Sequence, residues 1–106
     1  MSGCCSNSAV TQSTGKFFSK RSKWYARSFR KGKLEKIQRF VIDEIKKRPL
    51  NGALLLDIGS GVGKLHLTLL KNGAESATAI DMSAEMINHA KQFARTYGLE
   101  DKVTYH

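Results

Sequence analysis

Two aspartates and a glycine-rich segment carry the strongest chemical signal in this sequence. Asp57 ends an apolar run, and Gly59, Gly61 and Gly63 follow it at alternate positions. Asp81 ends a second apolar run 24 residues further along. In an open α/β sheet, ligands bind outside the carboxyl ends of the strands, where an acid ending the second strand can accept both hydroxyls of a ribose. The pair therefore predicts a ligand that contains a nucleoside.

The glycine spacing argues against the two common phosphate-binding loops. A dinucleotide loop, G-x-G-x-x-G, requires glycine where this chain has Lys64. A P-loop requires glycine in place of Ile58 and a hydroxyl residue in place of Leu65. Two alternatives stay open at this point: a tight turn that binds nothing, and a nicotinamide or flavin nucleotide site.

The elements that must position these residues follow from hydrophobic periodicity. The pattern predicts strands and helices in alternation, which favours parallel strands joined by right-handed crossovers, in the order 3-2-1 of half a doubly wound sheet. The first strand would then be an open edge, so we expect a missing C-terminal half or an oligomer partner to cover it. The predicted elements are strands over about 53–58, 76–81 and 102–105, a helix over about 63–72, and a helix from the N-cap Ser83 to Gly98.

The segment before the first strand predicts two helices and a tail. Residues 2–15 are rich in Ser, Thr, Asn and Gly, which is typical of disorder. A helix over about 20–30 would be followed by an amphipathic helix over about 33–47 that Pro49 ends. The apolar face of that second helix would hold Leu34, Ile37, Phe40, Val41 and Ile45. The expected organisation is a tail over 1–15, basic helices over 16–48 and a partial Rossmann-like domain over 49–106.

The positive charge is concentrated in the N-terminal segment. Residues 1–48 contain 13 Lys and Arg against three acids, whereas residues 49–106 contain five against six. A basic arm can steer anionic partners, and aromatic residues among basic ones can bind single-stranded nucleic acid. The favoured interpretation is a solvated basic helix whose aromatic side chains pack on the main domain, with a non-enzymatic nucleic-acid-binding module as the alternative. The aromatic residues are Phe17, Phe18, Trp24, Tyr25 and Phe29.

Composition narrows the setting in which the protein acts. No apolar run reaches the roughly 18 residues of a membrane span, and no secretory signal is visible. Cys4 and Cys5 are the only cysteines, and two adjacent thiols make a poor metal site and a poor disulfide. We therefore expect a cytoplasmic protein without a metal or a membrane partner.

The motifs together resemble the class I S-adenosylmethionine-dependent methyltransferases. The segment 55–63, Leu-Leu-Asp-Ile-Gly-Ser-Gly-Val-Gly, is similar to their first motif, and 79–83, Ala-Ile-Asp-Met-Ser, to their second-strand motif. Met86 falls where their following helix has methionine. Phe17–Lys36 is similar to the N-terminal helices of a magnesium-protoporphyrin-methyltransferase-like branch.

The resemblance implies S-adenosyl-L-methionine as cofactor and assigns roles within the site. The loop Gly59-Ser60-Gly61-Val62-Gly63 would pass under the methionine part of the cofactor. Asp57 would support the loop and the ligand's ammonium, Asp81 would hold the ribose hydroxyls, and Met82 would lie against the adenine. Carboxylates suit the cationic cofactor better than they suit a pyrophosphate. The expected reaction is methyl transfer to an unidentified acceptor, expected to be a small molecule.

The resemblance assigns no catalytic residue. The family's adenine contact after the third strand and its substrate-side motif on the fourth strand have no counterpart before His106. His66 and His89 lie in predicted helices, where a surface or packing role is the expectation. We therefore expect an N-terminal cofactor-binding portion that has little or no activity alone.

Overall fold

The computed structural model describes the backbone of residues 9–106 and the side chains of residues 20–106. Its three strands form one parallel sheet in the order β1-β2-β3, which is the predicted 3-2-1 order read from the other edge. The elements are α1 (Ala9–Arg30), α2 (Lys36–Lys46), β1 (Leu54–Ile58), α3 (Lys64–Lys71), β2 (Ser76–Ile80), α4 (Ala84–Thr96), a short 3-10 helix (Glu100–Lys102) and β3 (Val103–Tyr105).

One face of the sheet carries the hydrophobic core. Leu55 pairs with Ala77, and Ala77 with Val103, so these three side chains share a face. They belong to a cluster with buried residues of α3 and α4, including Leu67 and Phe93. Two successive right-handed crossovers in the same direction place both helices on the same side, which is why only this face is covered.

The opposite face and the edge of β1 are open within residues 9–106. Leu54, Leu56 and Ile58 are 72%, 64% and 73% exposed, and β1 pairs with β2 alone in the described sheet. The alternation of half-buried and exposed residues along β1 follows from the period of two in a strand. The open edge that the sequence predicts is therefore present.

The helix α1 is longer than the sequence predicts. It begins at Ala9 instead of near residue 20, so residues 9–15 are helical and are not part of a disordered tail. This stretch contains no proline, and extending an existing helix costs far less than nucleating one. Residues 1–8, with Cys4 and Cys5, lie outside the described residues.

Aromatic packing fixes the second half of α1 on α4. The ring of Phe29 meets that of Phe93 edge-on at 4.9 Å and that of Tyr97 at 6.0 Å between centroids. Phe29 thus packs as expected, whereas Trp24 remains 56% exposed. Among the helices within residues 9–106, none is sufficiently long and apolar to cross a membrane.

The apolar face predicted for α2 is buried in part: Leu34, Val41 and Ile45 are half-buried, and Leu34 and Ile45 pack against the core. The helix packs against α3, and Ile42 is its buried residue, whereas Ile37 and Phe40 are exposed. The side of α2 that carries Ile42 therefore faces α3 and the core, and Ile37 and Phe40 lie on the side that is exposed in the described structure. At its N-terminus, Glu35 and Gln38 form a reciprocal capping box, which places both side chains near the glycine loop.

Candidate functional site

The glycine loop, residues 59–63, joins the end of β1 to α3 and lies against the end of β2. The N–H groups of Gly59 and Ser60 both donate to the carbonyl of Ile80, at 2.7 and 3.0 Å. The N–H of Gly63 donates to the carbonyl of Ser60 at 3.1 Å. These bonds hold the loop at the carboxyl ends of two neighbouring strands, where α/β sheets bind their ligands.

Gly63 is the glycine whose replacement the surroundings resist most strongly. Its φ is +93°, which side chains rarely adopt. A Cβ added there would lie 2.8 Å from Cδ1 of Leu67 and 3.0 Å from Nε2 of His66. Gly63 thus lets the first turn of α3 approach the loop closely, which fixes the direction of that helix.

Asp81 connects the second strand to the loop. Its Oδ2 accepts a hydrogen bond from the N–H of Gly61 at 2.8 Å, and its Oδ1 accepts one from the N–H of Ser83 at 2.8 Å. The hydroxyl of Ser83 in turn accepts from the N–H of Met86 and caps α4. Because a carboxylate oxygen has two lone pairs, each oxygen of Asp81 can accept one further hydrogen bond.

Asp57 is held by a buried histidine. Its Oδ2 lies 2.8 Å from Nδ1 of His66, and Nε2 of that ring lies 3.0 Å from the hydroxyl of Tyr105. His66 is 1% exposed, so it is a buried, hydrogen-bonded residue and not a surface one. The ring therefore joins the end of β1 to the end of β3 beneath the glycine loop.

Lys64 connects the loop to the N-terminal helices. The residue is 1% exposed, and its Nζ donates to Oγ of Ser28 at 3.1 Å. The ammonium also lies 5.4 Å from the ring centre of Tyr25 and 5.9 Å from that of Trp24. Burial lowers the pKa of Lys64, and the nearby charge of Glu35 partly opposes this shift. A lysine in place of the third dinucleotide glycine thus serves as an anchor for α1.

A cavity of about 460 Å³ lies between the glycine loop, the end of β2 and the N-terminal helices. Six of the seven cofactor-binding residues predicted from the sequence line it, and the seventh, Gly63, is the buried last residue of the loop. Met82 is fully exposed at its rim. Oγ of Ser60 is buried and has no hydrogen-bond partner within the described part of the chain. The six are Asp57, Gly59, Ser60, Gly61, Asp81 and Met82.

Several lining residues have no predicted role in the sequence analysis. Tyr25, Glu35 and Gln38 come from α1 and from the capping box of α2, more than 15 residues before the loop. No local sequence pattern predicts that these residues line the cavity, because they reach it only when α1 and α2 pack against the rest of the fold. Lys64 differs from the glycine of the dinucleotide pattern, and the sequence indicates nothing further about its position. Residues 20–106 contain no cluster of three or more side chains suited to a metal ion.

A parallel sheet with an acid-anchored glycine loop at its carboxyl ends is the arrangement at which open α/β proteins bind nucleotides. Comparison with known protein families indicates which kind of α/β protein this is. Residues 55–106, which are 52 of the chain's 106 residues, match the family model described as a methyltransferase domain, and this segment is similar to that family. The resemblance to class I methyltransferases is therefore confirmed for both fold and family.

Relatives share this region at moderate identity. A ubiquinone biosynthesis O-methyltransferase of Xylella fastidiosa is 44% identical over 63 residues, which cover 58% of this chain and 24% of the relative. A rice protein named "Probable protein arginine N-methyltransferase 3" is 43% identical over 49 residues, 46% of this chain and 8% of that protein. The chain thus spans a quarter or less of these relatives.

A solved structure supports the same assignment. A SAM-dependent methyltransferase from Geobacter sulfurreducens, crystallised with S-adenosyl-L-homocysteine, superposes with a TM-score of 0.58 at 27% identity. The match covers 69% of this chain and 29% of the Geobacter chain. The described fold is therefore a methyltransferase fold over the part that the two chains share.

Proposed function

We propose that this chain is the S-adenosyl-L-methionine-binding portion of a class I methyltransferase. The observation that carries the proposal is the pair of hydrogen bonds that Asp81 accepts from the N–H groups of Gly61 and Ser83, which fixes an acid at the end of β2 beside the glycine loop. The match to a methyltransferase crystallised with S-adenosyl-L-homocysteine supports it. Each carboxylate oxygen of Asp81 has one lone pair that its bond to the backbone does not use, and these lone pairs would accept hydrogen bonds from the ribose hydroxyls.

The polar groups of the cavity fit such a cofactor. The buried hydroxyl of Ser60 lacks a partner among the described residues, and leaving such a group unsatisfied costs about 1–3 kcal/mol. A polar group of the cofactor's methionine part would satisfy it. Asp57 adds a carboxylate to the same cavity, which suits the ammonium and sulfonium of this ligand.

When bound, S-adenosylmethionine supplies an electrophilic methyl group on its sulfonium. The chain's own residues would bind and orient the ligand: the loop would confine its amino-acid part, and Asp81 would fix its ribose. Correct alignment supplies much of the acceleration in such a displacement. This portion of the site contains no assigned general base.

Calorimetric titration with S-adenosylhomocysteine and with NAD tests the cofactor. We expect S-adenosylhomocysteine to bind and NAD not to bind, and we expect Asp81→Asn to weaken binding by roughly tenfold or more, the loss of a charge-assisted hydrogen bond. Asp101→Asn, an exposed acid at the short 3-10 helix, is the matched control. Binding of NAD alone would replace this proposal with the nicotinamide nucleotide alternative.

The remainder of the site would come from a further segment or a partner subunit that covers β1. The open edge and the exposed Leu54, Leu56 and Ile58 support this, as does the share of the relatives that the chain spans. We accordingly expect the 106-residue chain to bind cofactor without transferring methyl groups. Robust transfer from labelled S-adenosylmethionine to components of a cell extract would contradict this.

A small molecule is the proposed acceptor. The name of the Xylella relative points to a small-molecule product, whereas the rice relative is named for protein arginine. In an assay of this chain together with the segment or partner that completes the site, label in the acid-soluble fraction would support the proposal, and label in precipitated protein would contradict it. The cytoplasmic location inferred from the sequence stays a prediction.

A second candidate function rests on the surface of α1. Trp24 is 56% exposed, and Lys20, Lys23 and Arg27 are exposed within one turn of it. Exposed aromatic and basic side chains together are typical of single-stranded nucleic-acid sites. Binding of a labelled oligouridine should then weaken steeply with salt and when those three basic residues become Gln. Neutralising Lys46, Lys47 and Arg48 instead is the matched control, and equal losses in both variants would dispose of this candidate.

A further inference from the structure

We propose that Lys64 is a specificity-determining residue of the cavity, and that its ammonium binds the carboxylate at the amino-acid end of the cofactor. The proposal deepens the methyltransferase function proposed above and rests on it for the identity of the ligand. It gives the side chain that anchors α1 a second role, the recognition of the one negative charge that the ligand carries.

The ammonium of Lys64 is buried without a direct counter-ion among the described residues. Lys64 is 1% exposed, and no carboxylate of residues 20–106 forms an ion pair with it. Burying a charge is costly unless the charge is paired and hydrogen-bonded, and buried lysines are accordingly found with partners. An anion bound beside Lys64 would therefore offset a cost that the described fold leaves uncompensated.

Glu35 acts on Lys64 through its charge, but the two residues do not form an ion pair. Burial lowers the pKa of Lys64, and the charge of Glu35 opposes that shift only in part. The side chain of Glu35 accepts the N–H of Gln38 in the capping box at the start of α2. This acid is thus bonded to the helix that it caps, and it leaves the ammonium without a carboxylate in contact.

The ammonium has hydrogen-bond donors to spare. Of its three N–H groups, one donates to Oγ of Ser28 at 3.1 Å. Its other neighbours are the rings of Tyr25 and Trp24, with centres at 5.4 and 5.9 Å. Ring faces attract a cation but offer no oxygen acceptor. Two N–H groups therefore remain for an anionic ligand.

The position of Lys64 directs these donors to the cavity. Lys64, Tyr25 and Glu35 all line it, so the ammonium lies on the side of the cavity that the N-terminal helices form. The buried hydroxyl of Ser60, which also lines the cavity, has no hydrogen-bond partner among the described residues. An ammonium can only donate, and a hydroxyl can donate as well. The cavity thus contains two buried donors that a carboxylate would satisfy.

The charges of the cavity match both ends of an amino acid. Asp57 at the end of β1 supplies a negative charge, and Lys64 at the start of α3 supplies a positive one. The amino-acid end of the cofactor carries an ammonium and a carboxylate, so the two residues together would fix its orientation. A site whose buried polar group loses its partner discriminates strongly against the ligand that lacks that partner. We therefore expect this cavity to reject a cofactor analogue without the carboxylate.

Calorimetric titration of the 106-residue chain with two ligands tests the role of Lys64. The ligands are S-adenosylhomocysteine and its decarboxylated analogue, in which the amino-acid end is a plain aminopropyl group. The wild type should bind S-adenosylhomocysteine roughly tenfold to a hundredfold more tightly than the analogue. In Lys64→Met, which keeps an unbranched apolar chain and removes the ammonium, this ratio of affinities should fall by roughly tenfold or more. The ratio cancels losses that both ligands share, such as a loosening of α1.

Two further variants serve as controls. Lys71→Met changes a lysine of the same helix, whose ammonium lies 3.2 Å from the ring centre of Tyr97 and which does not line the cavity. This variant should keep the wild-type ratio. Lys64→Arg keeps the positive charge and the donors, so it should retain most of the preference for the carboxylate.

The outcomes separate this role from the cofactor assignment. A ratio near one in the wild type, or an equal loss of both affinities in Lys64→Met, would overturn the role and leave the cofactor assignment standing. If Lys64→Met does not fold, Ser28→Ala removes the contact with α1 and keeps the ammonium, so the ratio should not fall; a fall to near one would overturn the proposal. If neither ligand binds the wild type, the cofactor assignment fails and the role of Lys64 fails with it.

Discussion

Asp81 and Gly61 lie 20 residues apart in the chain, and Oδ2 of Asp81 accepts the N–H of Gly61 at 2.8 Å. The acid that lines the cavity is therefore also the group that builds the loop opposite it. Binding and loop structure depend on the same side chain, so its replacement affects both.

Asp81→Asn should lower the free energy of unfolding by about 1–3 kcal/mol, because an amide has one acceptor oxygen for two backbone donors. Urea denaturation measures the change. Asp101→Asn removes an equal charge from an exposed position and should leave stability within about 0.5 kcal/mol of the wild type. Equal stability of the two variants would contradict the anchoring role of Asp81.

Gly63→Ala should destabilise the chain more than a positive φ alone explains. The new Cβ would lie 2.8 Å from Cδ1 of Leu67 and would also meet the ring of His66. We expect a loss of about 2–4 kcal/mol in urea denaturation, which combines backbone strain with overpacking.

Gly98→Ala is the control, because Gly98 has φ +68° with no atom within 4 Å of its added Cβ. It should lose about 1 kcal/mol, the cost of the backbone conformation alone. If Gly63→Ala costs no more than Gly98→Ala, close packing of α3 on the loop is not what requires the glycine.

Lys64→Met should abolish a pH-dependent part of stability. Burial lowers the pKa of Lys64 in the folded chain below its ordinary 10.5, so the unfolded chain binds more protons between those two values. In the wild type, this term raises the free energy of unfolding as pH rises toward 10.5. The difference in unfolding free energy between wild type and Lys64→Met should therefore grow in the wild type's favour over that range.

Lys102→Met serves as the comparison, since Lys102 is exposed and is directed to no buried partner in the described structure. A wild-type minus Lys64→Met difference that stays constant with pH would show that the ammonium of Lys64 is not buried on folding. Urea denaturation at several pH values between about 8 and 10.5 supplies the measurement.

Tyr105 makes the free energy of unfolding fall as pH rises above 10, whereas Lys64 makes it rise as pH approaches 10.5. Its pKa is raised from 10.0 to about 12, so the unfolded chain loses the phenolic proton first. Stability from this group is complete below pH 10 and declines as pH rises toward 12. Tyr105→Phe should lack that decline, and parallel curves of unfolding free energy against pH for the two proteins would contradict the assignment.

The sequence predicts the Rossmann-like half-sheet because its signals are local. The change from apolar run to glycine loop to helix, and the capping Ser83, fix β1, α3, β2 and α4 within a few residues of the observed bounds. Each signal is contained in one strand–loop–helix unit. The strand order then follows from the handedness of the crossovers.

The rest depends on partners that are distant in the chain. His66 meets Asp57 across nine residues and Tyr105 across 39, and no pattern in the sequence links the three. The start of α1 and the exposed side of α2 depend on helix extension and on which face finds a neighbour. In the sequence, Lys64 only argues against a dinucleotide loop, whereas the structure shows its hydrogen bond to Ser28 of α1.

Asp57 also affects the tendency of β1 to pair with strands of other molecules. It is the one charged residue in Leu54–Ile58, an edge strand that is otherwise entirely apolar and that exposes three of its side chains. Edge strands of this composition recruit further strands, and an inward-pointing charge is one of the devices that limits such recruitment. The carboxylate that lines the cavity is therefore also the charge that disfavours self-pairing of this edge strand.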